Sequence, residues 1–110
     1  MPKPPNQIAS RTFLVREPDK AYEVTIRILQ PYCEEDEFQT WCCEVLIEYP
    51  YETKCEKTFG VDSMQSLLLG IMRMMSAISV LMHRHGEKIT HMGDSDLFCP
   101  DLVFKQVNGT

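Results

Sequence analysis

The sequence predicts an α+β fold: an antiparallel sheet of about four to six strands, with one long α-helix over about residues 62–85 packed on one face. Three observations carry this. Apolar and polar residues alternate in four runs between Ile8 and Phe59, the period of a strand with one buried face. Only the stretch after Gly60 has a helical period together with start and stop signals. The connections between the runs are short, which favours an antiparallel meander over crossovers.

Residues 1–7 read as a disordered Pro-rich arm and 8–110 as a single domain. Ile8 to Glu17 is the first strand, and Pro18-Asp19-Lys20 supplies a turn. Ala21 to Leu29 is the second, with Tyr22, Val24, Ile26 and Ile28 alternating against Glu23, Thr25 and Arg27. Pro31 ends it, and the acidic run Glu34-Glu35-Asp36-Glu37 reads as a solvated loop. Phe38 to Tyr49 is the third strand. Its core face is Trp41, Cys43, Val45, Ile47 and Tyr49, and its other face is Cys42, Glu44, Leu46 and Glu48; Trp41 reads as a core anchor, or, with the register shifted by one, as a binding residue on the open face. Lys54 to Phe59 is the fourth.

Asp62 is a good N-cap with Gln65 three residues on, as a capping box requires. Gly86 is the stop, preceded by His83, Arg84 and His85, whose charge suits a helix C-terminus. On a helical period Met64, Leu67, Leu68, Ile71, Met75, Ile78 and Met82 share one face, which is expected to lie on the sheet. The opposite face holds Ser66, Leu69, Gly70, Arg73, Ala77 and Val80. Its small residues would let another backbone come close, so it is the expected interaction surface, for a homodimer or another protein, against the plainer reading of an exposed helix. Lys88 to Met92 is a further short strand candidate, followed by a turn and the apolar clip Leu97-Phe98-Cys99-Pro100.

A chain of 110 residues makes one domain and buries roughly two-thirds of its unfolded surface, enough for a core without staples. The net charge of −5 argues against nucleic acid, which takes a basic surface to displace counterions. Five cysteines is an odd number, Cys42 and Cys43 are adjacent, and the N-terminus carries no apolar signal core. Neighbours in a strand point to opposite faces, so the expectation is free thiols in a cytoplasmic protein. The apolar run from Leu67 to Met82 is short for a membrane span and has Arg73 near its middle, so no membrane is expected.

Several segments, in order, are similar to a group of small, mostly bacterial domains of unknown function. They are Ile8-Ala9-Ser10-Arg11-Thr12-Phe13, the strand ending in Pro31, Trp41-Cys42, the helix start Gly60-Val61-Asp62-Ser63-Met64-Gln65-Ser66-Leu67, and Ile89-Thr90-His91-Met92-Gly93-Asp94 with Phe98-Cys99-Pro100. Ser66, His91 and Cys99 depart from that group's usual residues. The resemblance implies an α+β fold and no activity.

Candidate chemistry is sparse. A cysteine nucleophile needs a neighbouring base, and no thiol-enzyme signature is present. His83 and His85 are two apart and diverge on a helix, so helix-end capping outweighs a zinc site. Asp94 and Asp96 read as turn residues ahead of a cation loop. No catalytic residue, metal or cofactor is therefore expected. The leading expectation is a non-enzymatic protein-interaction or accessory module, an immunity-like role being one form of it. The alternative is a small-ligand domain or minor enzyme, with its site at Cys42, His91, Asp94 and Cys99.

Overall fold

A computed structural model describes residues 6–93. Six strands form one sheet: β1 (Gln7–Arg16), β2 (Ala21–Leu29), β3 (Tyr32–Cys33), β4 (Trp41–Glu48), β5 (Thr53–Gly60) and β6 (Ile89–Thr90). One helix, α1 (Ser63–His85), packs against it and ends in a 3-10 turn, Gly86–Lys88. Every pairing is antiparallel. The fold is α+β, as the alternation and the single helical run predicted.

β5 pairs with the whole length of β4, from Trp41↔Gly60 to Glu48↔Thr53. The other side of β4 is shared by β2 and β3. β5 therefore has one paired side and one open side among the described residues. β3 is an element the sequence did not predict; it resumes pairing with β4 just past Pro31. β1 begins at Gln7, inside the stretch read as an arm, where the Gln7 side chain accepts a 2.6 Å hydrogen bond from Arg27.

The core lies between the sheet and α1. Phe13, Val15, Val24, Ile26, Ile28, Cys43, Val45 and Ile47 come from the strands, Ile78 and Leu81 from the helix, and Ile89 from β6. The facing predicted for the third strand holds at Cys43, Val45 and Ile47, with Tyr49 packed against the core. Trp41 is a correction: it is half-buried at the start of β4 and stands outside the core cluster. Phe38 is another; the strand starts only at Trp41, and Phe38 sits 80% exposed in the preceding loop. That loop is built on Asp36, whose carboxylate accepts from the Thr40 backbone N–H at 3.0 Å.

The larger correction concerns the helix. Its buried residues are Ser66, Gly70, Ile78 and Leu81, while Met64 is 69% and Leu68 55% exposed. Relative to the face chosen on hydrophobicity, the helix is turned by about 80°, less than one residue's step. The reason is steric. A Cβ at Gly70 would come 2.7 Å from Cys43 Sγ, and one at Gly60 would come 2.6 Å from the Ser66 backbone nitrogen. The Thr58 hydroxyl donates to the Ser66 carbonyl at 3.0 Å. Small side chains let the helix settle closely onto β4 and β5, and that close packing outweighs placing the most apolar stripe inward.

Both helix ends follow their signals. The Asp62 side chain accepts from the Gln65 N–H at 2.8 Å, and the Gln65 side chain reaches back to the Val61 N–H at 2.7 Å. Gly86 ends the helix at φ 56°, a backbone region that favours glycine. His85 stands 3.5 Å from Glu17, which also pairs with Lys88 at 3.4 Å, fastening this end to the β1–β2 turn.

Candidate functional site

Of the residues expected to form a ligand site, the two that the structure describes, Cys42 and His91, do not come together. Cys42 lies in β4 and His91 just past β6, with β2 and β1 between them in the sheet order. Three strand spacings amount to ~14 Å. Cys42 is buried on the face away from the helix, beside Tyr32. His91 holds its Nδ1 3.1 Å from the Thr12 carbonyl and stacks at a tilt on Phe13. Asp94 and Cys99 lie outside the described residues.

Of the described thiols Cys42 and Cys43 are buried, and Cys43 and Cys55 are held toward their protonated form. The Cys55 thiol donates to Glu44 Oε1 at 3.1 Å; burial and then that carboxylate push its pKa up to about 11. Burial likewise raises Cys43. Tyr32 is raised by its contact with Cys42 and by burial. A raised thiol pKa removes the thiolate that nucleophilic chemistry uses. Among the described residues no three His, Cys, Asp or Glu side chains stand close enough together to hold a metal ion.

The expected interaction surface divides into two. Ser66 and Gly70 are buried against the sheet, and Ala77 packs on the core. The close-approaching backbone that these small residues foretold is the chain's own β4 and β5. Leu69, Arg73 and Val80 are exposed, and Arg73 pairs with Glu56 of β5 at 3.1 Å.

What lies open is the outer side of α1 and its junction with β5. Leu69, Met72, Arg73 and Ser76 line a groove of about 490 Å³ with Lys57, Thr58 and Phe59. A second hollow adjoins it, with Phe38, Thr40, Val61 and Gln65 around the same Phe59, and a third runs from Asp62 to Leu69. Each pair of hollows shares one residue: Phe59 joins the first and second, Gln65 the second and third, and Leu69 the first and third, so they form one continuous surface. Val61 at its corner is 82% exposed.

The run Ser63–Lys88 is apolar and long enough by composition to cross a membrane, yet only 22% of its most apolar window is buried. A helix that apolar and that open has an unfilled face. Phe38, Val61, Met64 and Leu68 were missed as site residues because each has an ordinary structural reading in the sequence: strand start, cap neighbour, or core stripe.

The model of a family described as a domain of unknown function (DUF6968) matches residues 9–100. No curated protein and no solved structure matches the chain.

Proposed function

This chain belongs to the DUF6968 family of domains of unknown function, and from that premise we propose that it is a non-enzymatic protein-interaction module. The observation that carries the reading is the continuous apolar surface of Phe38, Phe59, Val61, Leu68, Leu69 and Met72 where β5 turns into α1. Exposed apolar patches of this kind mark docking sites. The hollows are open and shallow, whereas small-molecule sites are enclosed clefts with converging polar groups. A protein fits better than an anionic lipid surface, because the chain's net charge is −5 and lipid docking takes a basic one. The four described cysteines are free thiols, which accords with a reducing, cytoplasmic setting.

Native mass spectrometry of the chain isolated gently from its own host tests this. The expected result is a complex with a second protein chain, lost in Leu68→Glu. A monomer carrying a small-molecule adduct that Leu68→Glu leaves in place would overturn the reading, as would binding to anionic vesicles.

A further inference from the structure

We propose that the docking surface is completed by a second copy of this chain, which pairs antiparallel along the open side of β5 with Cys55 opposite the partner's Cys55. The proposal rests on the interaction-module reading and names its first occupant.

The argument begins with the strand. β5 runs for eight residues, and all but Thr58 are exposed or half-buried. Among the described residues its outer N–H and C=O groups pair with no strand, and such groups are a template for another strand. A two-fold axis perpendicular to the sheet would join two copies into one continuous sheet with both helices on the same side. Residues directly opposite then share a face, which restricts the register to those that put one residue opposite itself.

Charge selects among these. Centring on Lys54, Glu56 or Lys57 sets a charge against its own kind, and centring on Thr58 sets no charged pair opposite. Centring on Cys55 places Lys54 opposite the partner's Glu56, and Glu56 opposite the partner's Lys54. Phe59, exposed in β5, would lie toward the partner's β4–β5 turn, where Tyr51 is exposed. Opposite-charge and aromatic cross-strand pairs stabilise an antiparallel ladder, while like charges oppose it.

The start of α1 lies beside this edge: the helix runs obliquely over the sheet, from Thr58 of β5 at Ser66 and Glu56 at Arg73 to the β1–β2 turn at His85. The side of α1 turned toward β5 carries Leu69, Arg73 and Ser76, which line the groove. Arg73, already on Glu56, would share that carboxylate with the partner's Lys54.

The test is a charge swap read by sedimentation equilibrium, with a cysteine cross-link as a second readout. The unaltered chain is expected to be a dimer. Lys54→Glu should raise its dissociation constant about tenfold, since two symmetric pairs become repulsive. Lys54→Glu combined with Glu56→Lys should restore it. In a Cys33→Ser, Cys99→Ser background, copper(II)-phenanthroline should join two chains through Cys55. Each pair of thiols loses two protons and gives two electrons to copper, and Cys55→Ser should abolish the product.

A monomer across the accessible concentration range would overturn the proposal. A dimer that Leu68→Glu breaks, but that the charge swap neither weakens nor restores and Cys55 does not link, would overturn it too. That second outcome would leave the interaction-module reading standing, as would a monomer that binds a different protein.

Discussion

The two sides of α1 differ in a way that hydrophobicity alone does not explain. The side seated on the sheet is partly made of the helix's smallest residues, Ser66 and Gly70, joined toward the C-terminus by Ile78 and Leu81. The side facing away is made of large apolar ones: Leu68, Leu69, Met72 and Val80. Had burial of apolar area been the sole criterion, the helix would have turned Met64 and Leu68 inward. It instead lies where β4 and β5 come nearest, because Gly70 meets Cys43 and Ser66 meets Thr58 there. Close packing fixes the inner side, and the outer side keeps apolar area that the described residues leave uncovered.

The largest way to break this comparison is on the inner side. Leu81 is 1% exposed near the C-terminal end of α1, and Leu81→Ala should destabilise the domain by about 3 kcal/mol through transfer and cavity terms together. Urea unfolding would measure it; a loss under about 1 kcal/mol would mean that the site collapses without strain.

Next in size is Gly70→Ala. Alanine favours a helix interior by about 1 kcal/mol over glycine, so a free surface position would gain stability. Here the new Cβ would lie 2.7 Å from Cys43 Sγ, and overpacking costs about 1–3 kcal/mol. The expected net is a loss of about 1 kcal/mol. Cys43→Ala removes the clashing sulfur, so the double variant should be more stable than the two single losses add up to, with a coupling near 1 kcal/mol. Simple additivity would show that Gly70 and Cys43 do not set the helix's seat.

Of comparable size is the cap that fixes the helix start beside the docking surface. Asp62→Ala removes the 2.8 Å bond to the Gln65 N–H and should cost about 1 kcal/mol. Asp62→Asn, which keeps an acceptor, should cost a few tenths. Equal losses in the two would assign the effect to charge and not to the cap.

These contrasts also mark what could be read in advance. The strands from Ala21 to Leu29 and from Trp41 to Glu48, the Asp62 cap and the Gly86 stop all depend on local signals, and local signals are what a sequence displays. The helix rotation depends on the distance between Gly70 and Cys43, two residues 27 positions apart, and a helical wheel carries no such distance. The stripe of Ser66, Gly70 and Ala77 was informative about a close backbone but silent about whose backbone it was. Leu69, Arg73 and Val80 were legible as surface because their exposure follows from either rotation. Cys42 and His91 looked close only along the chain; strand order separates them.

The smallest expected stability effect is the most decisive for function. Leu68→Gln with Met72→Gln alters two exposed side chains on the outer face, and substitutions away from packed features usually stay within about 0.5 kcal/mol. Urea unfolding at low concentration, where the chain is monomeric, should therefore hardly move. The dissociation constant of the complex should rise at least tenfold, because two amide groups would be taken out of water without partners where apolar area was buried. The separation of the two numbers is the point. A residue that matters to association and not to the monomer is on a docking face, whereas one that lowers both by similar amounts is part of the core. If the double variant lost about 2 kcal/mol as a monomer, the outer side of α1 would be covered within the chain itself, and the distinction between the two sides of the helix would fall with it.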